Sequence, residues 1–499
     1  MTLRVCSGYN GLMNRFLLAF LFASLLTLPA ASRAAQPGTV TSYAPGATPF
    51  ISFVRLNVSE LANFKAAEFQ IAPKTGSATR PVDVRYSRRY LQRRHYLDAK
   101  HSVLTVPVFG LYAGRANRVT ITLTFRDGTT RVSPLNIQTA AYDGGTYSNP
   151  DVVQARLAGT PLSYDFIMLK SYADPTTPIV IDTDGEIRWV GTAGVSSQPS
   201  AFFADAFYLT SGASLLRTDL DGVTTTVADY GSIGVTGFHH NIDPGKTGMI
   251  LDADTTTQTE SVNIEVDTDG NLLKTWNLAD IISAAMIAGG DDPSSFVKSQ
   301  PIDWFHNNAT AYRRSDNSLI VSSRENFVIA LDYDSGTIKW ILGDPTKHWY
   351  QFSSLRAFAL TLGPDTLPPI GQHAVSMPDD KLLLFDDGAP SNYQMPPGET
   401  RAYSAPRKYE LDLASHTATE IFHYLPEPSI YSPFCSSVYE DAPDNYLINY
   451  TLGGPYIFTG IVGLDADGNK AFDYRYSELS FCGTAWNAFI LHWENLRLN

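Results

Sequence analysis

Three short segments of the sequence place a histidine just before an apolar run. They read "GFHHNID", "DWFHNNATAY" and "GQHAVSMPDDKLLLF", and they align His239, His306 and His373, with His240 beside the first. A single histidine in a strand is most often a structural hydrogen-bonding residue. Several imidazoles in one place could act as nucleophiles, as acids and bases near neutral pH, or as metal ligands. The chemistry therefore depends on whether the three segments occupy equivalent positions in the fold.

Two arginines are candidates to accompany these histidines. Arg324 ends the apolar run "SLIVSS" that follows His306, and Arg407 lies in "APRKYELD" further along the chain. A guanidinium keeps its charge and offers a planar fork of donors that suits an oxyanion such as sulfate or phosphate. An ordinary salt bridge is the alternative for each of them.

A repeated hairpin pattern accounts for most of the chain after residue 138. Each unit has an apolar strand end, an Asp-rich turn usually closed by Gly, and a second strand, as in "VIDTDGEIRWV", "NIEVDTDGNLLKTW" and "GLDADGNKAFDY". The six occurrences predict a six-bladed β-propeller over residues 139–499, and a large β-sandwich with similar turns is the alternative. Because each blade directs its innermost strand at the central channel, equivalent histidines from three blades are expected to converge.

The preceding segment predicts a second, smaller domain. Short β-type runs such as "FISFVRLNV", "SVLTVPVFGL" and "RVTITLTF", separated by turn signals, indicate an antiparallel β-sandwich over residues 36–138. The many glycines, prolines and aromatic residues also favour a turn-rich, all-β protein.

The N-terminus has the layout of a secretory signal peptide. Arg15 precedes an apolar run over residues 16–28, and small residues follow Pro29, so residues 1–35 are predicted to be removed by cleavage between Ser32 and Gln36. The run is shorter than the roughly 20 residues that span a bilayer, although an uncleaved anchor is the alternative. We therefore expect a periplasmic or secreted protein without a membrane span in the mature chain.

The net charge of −13 argues against a general nucleic-acid-binding surface.

Cleavage would remove Cys6 and leave Cys435 and Cys482. An exported protein can form a disulfide, so these two residues are either bonded or two buried thiols.

Taken in order, five segments resemble the bacterial periplasmic arylsulfate sulfotransferases. They are "FHHNID", "DWFHNN", "IVSSREN", "IKWILGDP" and "GQHAVSMPDDKLLLFDDG". The resemblance covers most of the mature chain and includes a small β-sandwich followed by a six-bladed propeller. It implies transfer of a sulfuryl group from a phenolic sulfate ester to a phenol through a transient sulfohistidine, without a cofactor or a metal. Relatives also suggest a homodimer.

The same resemblance assigns roles to individual residues. His373 would be the nucleophile, and His306, Arg324 and one histidine of "FHH" would bind the sulfuryl oxygens and manage charge on the phenolic oxygen. Alignment of the segments through their prolines favours His239 as the catalytic histidine, which leaves His240 for substrate binding. Independently of the resemblance, Arg407 is expected to bind substrate by approaching the channel from another blade. A one-residue slip would reverse the assignment of His239 and His240.

Two other functions remain open. The three histidines could hold zinc or copper, but no Asp, Glu or Cys recurs beside all three and a nearby arginine would repel a cation. A non-catalytic ligand-binding propeller is the second alternative.

The chain has no G-x-x-x-x-G-K-[ST] motif for binding phosphate and no G-x-G-x-x-G motif for binding a dinucleotide. Its cysteines also lack the C-x-P-x-R context that arylsulfatases need. The sulfate donor is therefore expected to be an aryl sulfate, not a nucleotide.

Overall fold

The computed structural model describes residues 39–144, 147–171 and 174–499. The predicted signal peptide, residues 1–35, lies outside the described residues. So do residues 36–38 of the predicted sandwich domain.

The N-terminal domain consists of two β-sheets. Its elements are β1 (Thr39–Pro45), β2 (Ile51–Asn57), β3 (Phe64–Ile71), β4 (Val82–Ser87), α1 (Arg88–Arg93), β5 (Leu97–Asp98), β6 (Val103–Phe109), β7 (Ala116–Phe125) and β8 (Thr130–Gln138). One sheet has the order β1-β2-β6-β5, and β4-β3-β7-β8 form most of the other. Strand β7 buries every second residue, ending at Phe125, because successive side chains of a strand point to opposite faces.

Strands continue through the rest of the chain. They are β9 (Asp151–Gln154), β10 (Phe166–Lys170), β11 (Ile179–Asp182), β12 (Ile187–Val190), β13 (Ser200–Phe203), β14 (Ala206–Ser211), β15 (Ser214–Asp219), β16 (Thr224–Asp229), β17 (Val235–Pro244), β18 (Met249–Thr255), β19 (Val262–Val266), β20 (Leu272–Asn277), β21 (Asn307–Arg313), β22 (Ser318–Ser323), β23 (Val328–Asp332), β24 (Ile338–Leu342), β25 (Thr361–Leu362), β26 (His373–Ser376), β27 (Leu382–Asp386), β28 (Ala405–Asp412), β29 (Thr417–His423), β30 (Ser437–Glu440), β31 (Tyr446–Leu452), β32 (Phe458–Leu464), β33 (Lys470–Ser477), β34 (Asn487–Leu491) and β35 (Leu496–Leu498).

Helices are few and short in the described part of the chain. Besides α1 they are α2 (Leu278–Ala288), α3 (Ser353–Arg356) and α4 (Gly453–Tyr456), with 3₁₀ turns at Leu61–Asn63, Gly231–Ile233, Pro293–Ser295, His348–Gln351, Pro378–Asp380 and Trp493–Asn495. The prediction of an all-β protein is confirmed. No helix within the described ranges is long and apolar enough to cross a membrane.

Six sheets follow one another in the described residues after β8. Their orders are β12-β11-β10-β34, β13-β14-β15-β16, β17-β18-β19-β20, β21-β22-β23-β24, β25-β29-β28-β27-β26 and β30-β31-β32-β33-β9. The end strands pack against one another in sequence, β13 on β17, β17 on β21, β21 on β26, β26 on β30 and β30 on β34. Sheets that meet in this way through one end strand each form a β-propeller.

The Asp-rich turns of the repeat close hairpins within these sheets. Gly185 (φ 82°) and Gly336 (φ 75°) adopt the left-handed conformation that such turns require. In "DLASHT" the corresponding residue is His416, which takes the same conformation with φ 58°.

The C-terminus holds the two domains together. Strand β35 pairs in parallel with β4, which adds a fifth strand to the second N-terminal sheet. The predicted range 139–499 of the propeller domain therefore includes one strand that the structure assigns to the sandwich. Just before β35, the buried Trp493 lies 5.1 Å from Phe109 of the sandwich and 5.7 Å from Phe166 of the propeller, measured between ring centroids.

We predict that Trp493→Ala lowers the free energy of unfolding by about 3–5 kcal/mol, the usual cost of truncating a buried tryptophan. The exposed Arg497→Ala in the same segment serves as the control, because surface ion pairs contribute about 0–1 kcal/mol. Denaturant midpoints followed by circular dichroism measure the effect. Equal midpoints for the two variants would contradict a role of Trp493 in joining the domains.

Candidate active site

The three histidine segments fall on end strands of neighbouring sheets, β17, β21 and β26. Each strand has an irregular register at or next to its histidine, between His239 and Ile242, Asn307 and Ala309, and His373 and Ser376. A β-bulge of this kind turns a side chain away from the regular alternation of its strand. At these sites His240, His306 and Ala374 have positive φ angles of 51°, 52° and 55°. Non-glycine residues keep such angles only where the surroundings impose them.

The bulges bring three imidazoles together. The ring centroids of His240 and His306 are 4.8 Å apart, those of His240 and His373 are 6.2 Å apart, and those of His306 and His373 are 6.5 Å apart. These three residues form the histidine cluster.

His239 lies beside the cluster, not within it. Its side chain is 35% exposed, compared with 8% for His240, and its Nε2 lies 3.1 Å from Asp254 Oδ2. The alignment through prolines favours His239 for the catalytic position, whereas the structure places His240 with His306 and His373. The physical reason is the bulge, because the register counted back from Pro244 does not continue through the residues inserted after His239.

His373 is held by its Nδ1 atom. This nitrogen lies 3.1 Å from the carbonyl oxygen of Gly371 and 2.8 Å from Asp387 Oδ2. Two oxygen neighbours favour the tautomer with the proton on Nδ1, which leaves the lone pair on Nε2. Burial, together with the charges of His306 and Arg324, holds the pKa of His373 well below its usual value. The imidazole is therefore neutral and able to attack an electrophile.

Arg324 follows β22, and its backbone N–H donates to the carbonyl oxygen of His306. The guanidinium is buried. Its Nη1 lies 2.7 Å from Glu325 Oε1, whereas Nε and Nη2 have no hydrogen-bond partner among the described residues. Glu325 is itself held by Ser391 and by the backbone N–H of Tyr393. Buried donors without a partner are costly, so this half-paired cation is suited to binding an anion.

Carboxylates surround the other two histidines of the cluster. His306 Nδ1 is paired with Asp303 and lies 3.1 Å from Glu260 Oε2. Burial lowers the pKa of His306, but the negative charges of Glu260 and Asp303 outweigh it and raise the pKa to about 9. His240 Nδ1 lies 3.5 Å from both Asp252 Oδ2 and Glu260 Oε2. Burial and the neighbouring imidazoles lower the pKa of His240.

Arg407, the other predicted substrate-binding residue, is engaged elsewhere. It lies on β28, two strands away from the histidine strand β26 in the same sheet. Its Nε donates to Asp386 at 2.6 Å and its Nη1 to Glu420 at 2.8 Å. Two carboxylates therefore already pair with Arg407, and its role in substrate binding stays a prediction.

Sequence reasoning missed the carboxylates of the site. Asp303 and Asp387 belong to the segments "DWFH" and "FDDG", so their proximity to the histidines in the chain was a usable signal. Glu260 lies in the connection between β18 and β19 with no repeat partner, and only the fold brings it to the histidines.

An aromatic wall held by a disulfide adjoins the cluster. Cys435 and Cys482, whose pairing the sequence left open, are bonded to each other. Next to Cys435, the ring of Phe434 lies 4.5 Å from Arg324 Cζ. Near Cys482, the ring of Trp486 lies 5.8 Å from that of His240. The disulfide therefore connects the two segments that cover Arg324 and His240.

Comparison with known proteins agrees with this arrangement. Residues 153–461 match the family described as "Arylsulfotransferase (ASST)", and residues 58–140 match the "Arylsulfotransferase Ig-like domain". The first match spans more than half of the chain, and the chain belongs to the arylsulfotransferase family.

One curated relative is the arylsulfate sulfotransferase AssT of Escherichia coli O6:H1 (strain CFT073). It is 27% identical over 196 residues, which are 36% of this chain and 32% of the relative. The match thus spans about a third of the relative's length.

Two solved structures resemble the chain distantly. A structural genomics protein of Bacteroides thetaiotaomicron VPI-5482 has a TM-score of 0.31 and 13% identity, with 89% of this chain and 98% of that chain covered. The β-propeller domain of Cps50 (Swd1) from Myceliophteria thermophila has a TM-score of 0.32 and 10% identity, with 66% and 100% covered. Likeness at this level carries no functional information.

We predict that the double variant Cys435→Ser/Cys482→Ser is less stable by about 2–4 kcal/mol, because the bond closes a loop between residues 47 apart in sequence. Denaturant midpoints before and after reduction of the unmodified protein should differ in the same direction. Peptide mass spectrometry after alkylation under denaturing, non-reducing conditions provides the check. Labelling of both cysteines would show that the purified protein lacks the bond.

Proposed function

We propose that this protein transfers a sulfuryl group from an aryl sulfate to a phenol. The observation that carries the proposal is the buried, half-paired guanidinium of Arg324 beside the neutral imidazole of His373. Such a site offers positive charge to a sulfate ester and a lone pair to its sulfur. Membership of the arylsulfotransferase family supports the same chemistry.

In the first half-reaction, Nε2 of His373 forms a bond to sulfur while the bond from sulfur to the aryl oxygen breaks. The phenolate leaves with the electron pair and takes a proton from a neighbouring imidazole. The ring of His373 gains positive charge during this step, and this charge would draw the proton off Asp387, whose Oδ2 lies 2.8 Å from Nδ1 and whose pKa burial raises in the resting site. The product is a sulfohistidine.

In the second half-reaction, the oxygen of another phenol attacks sulfur and the S–N bond breaks. The bonding electrons return to Nε2 of His373, and the proton of the phenol passes to a neighbouring imidazole. The net change is exchange of one phenol for another on the sulfuryl group, which makes the reaction ping-pong.

Arg324, His306 and His240 complete the site. The unpaired nitrogens of Arg324 are assigned to the sulfuryl oxygens, where preorganised charge acts mainly in the transition state. His306 and His240, whose rings are 4.8 Å apart, are assigned to the sulfuryl and phenolic oxygens. The roles assigned to Arg324, His306 and His240 do not require a cofactor.

We also infer the setting in which the enzyme acts. Residues 1–35 are proposed to be a cleaved signal peptide, which places the mature protein in the periplasm or outside the cell. Residues 36–138 would form the sandwich domain, joined by β35, and the rest of residues 139–499 a propeller whose six sheets are its blades. The partners are then small aryl sulfates and phenols, not nucleic acid, and the active form would be a homodimer.

The proposed activity is tested with purified protein, p-nitrophenyl sulfate and phenol. We expect nitrophenolate to appear only when phenol is present, with phenyl sulfate formed in equal amount. His373→Ala should abolish transfer and keep the unfolding midpoint of the unmodified protein. Release of nitrophenolate without phenol would identify a hydrolase. Full transfer by His373→Ala would exclude the sulfohistidine, and the absence of release by folded protein would exclude the function.

A second prediction separates the two adjacent histidines. His240→Ala should lower the rate of transfer by about 10²–10⁴-fold, the usual contribution of an acid–base group. The matched variant His239→Ala should cause a much smaller loss, since His239 is paired with Asp254 and Glu260 and lies outside the cluster of His240, His306 and His373. Initial rates at saturating phenol measure both. A larger loss in His239→Ala would restore the assignment made by aligning the prolines.

A further inference from the structure

A cavity of about 410 Å³ is lined by the segment that follows β29 and by residues of β31, β32 and β33. Its wall is mostly apolar and aromatic, with Tyr424, Ile430 and Phe458 among its residues. Neither Arg324 nor a histidine of the cluster is among the residues that line it. Cavities of this size, with apolar walls and a few polar groups, are typical of binding sites for small organic molecules.

One residue of this lining carries a polar atom without a partner. The hydroxyl oxygen of Tyr450 has no hydrogen-bond partner among the described residues, although the side chain is completely buried, with 0% exposure. The ring itself is held in place by an edge-to-face contact with Phe385, at 5.4 Å between centroids. A buried hydroxyl group without a partner is unfavourable, so a bound molecule that carries an oxygen would satisfy it.

The charges of the lining balance. Its charged residues are two cations, Lys470 and Arg475, and two acids, Glu427 and Asp473. Lys470 Nζ lies 2.8 Å from Asp473 Oδ2, and Arg475 Nε lies 3.8 Å from Asp473 Oδ1. Because both cations already have a carboxylate neighbour, the cavity offers no excess positive charge to a sulfate ester. A neutral molecule therefore fits it better than an anion.

The segment that borders the cavity continues to the catalytic site. Tyr431 lines the cavity, whereas Phe434, three residues later, belongs to the aromatic wall beside the histidine cluster. Between them, the backbone N–H of Ser432 donates to Ser404 Oγ at 2.8 Å, and this hydroxyl donates to the carbonyl oxygen of Asp387 at 2.7 Å. A molecule in the cavity would therefore contact the same short segment that borders the catalytic groups.

We propose that this cavity binds a neutral phenol at a second site, separate from the histidine cluster. The ring of the phenol would pack against Tyr424, Ile430 and Tyr431, and its oxygen would accept a hydrogen bond from the hydroxyl group of Tyr450. A phenol combines the aromatic ring, the neutral charge and the single oxygen that the lining calls for. Its choice among neutral aromatic compounds rests on the proposed function, which uses phenols as acceptors.

The binding test uses purified protein and 2-naphthol, followed by calorimetry without a sulfate ester. Tyr450→Phe should weaken binding by about 2–10-fold, the usual contribution of one hydrogen bond between neutral groups. The matched control Tyr476→Phe should keep the affinity, because Tyr476 also has a buried hydroxyl group without a partner among the described residues but does not line the cavity.

Two variants fill the cavity. Val462→Trp and Ser429→Trp both add an indole to its lining and should abolish binding there. Ser429 is exposed, so Ser429→Trp provides the result if Val462→Trp does not fold. Failure of the folded, unmodified protein to bind 2-naphthol would overturn the proposal. Full binding by Ser429→Trp together with loss in His240→Ala would also overturn it, because the phenol would then bind only in the catalytic site.

A second ligand tests the preference for a neutral molecule. Binding of 2-naphthyl sulfate is measured in His373→Ala, which prevents turnover, with and without Ser429→Trp. We expect the same affinity in both proteins, and loss of binding in the double variant would show that the cavity takes the anion, contrary to the proposal. If the ester binds to neither protein, the proposed function fails, whereas the titration with 2-naphthol still decides the second site.

Discussion

Closure of the propeller by β34 is the constraint on which the rest of the structure depends. This strand comes from the end of the chain and pairs along its whole length with β10, the first strand of the first sheet. Without it, β10 would be an unpaired edge and the first sheet would lack its end strand. The segment that leads into β34 contains Trp486 and Cys482, so the same closure brings Trp486 against His240 and lets Cys482 reach Cys435.

Closure also explains why the site can be largely buried and highly charged. Arg324, His373 and Asp387 are almost completely buried, and a buried charge without full compensation is unfavourable for folding. The large apolar cores of the sheets offset that cost, while the site keeps donors such as Nη2 of Arg324 that have no partner among the described residues. Violations of local packing rules of this kind are expected at functional sites.

Small irregularities in the backbone of three strands position the side chains of the site. A regular strand would alternate its side chains between the two faces of the sheet and could not direct adjacent polar residues as the site requires. The bulges in β17, β21 and β26 add residues on the histidine strand alone, so its partner strand keeps its register. As a result, Asp252 of β18 remains next to the bulge of β17, within reach of His240.

The sequence by itself determined the all-β class, the repeated hairpins and the candidates His306, Arg324 and His373, because these depend on local patterns of apolar residues, turns and short motifs. Only the tertiary structure placed His240, not His239, with His306 and His373, since a bulge breaks the register on which sequence alignment relies. It also showed that Arg407 pairs with Asp386 and Glu420, because those contacts depend on strand order. The same holds for Glu260, for the disulfide and for β35, whose partners are distant in sequence. The disulfide follows from closure of the ring, Glu260 from the folding of the β17 sheet and β35 from its pairing with β4, and no local pattern encodes any of the three.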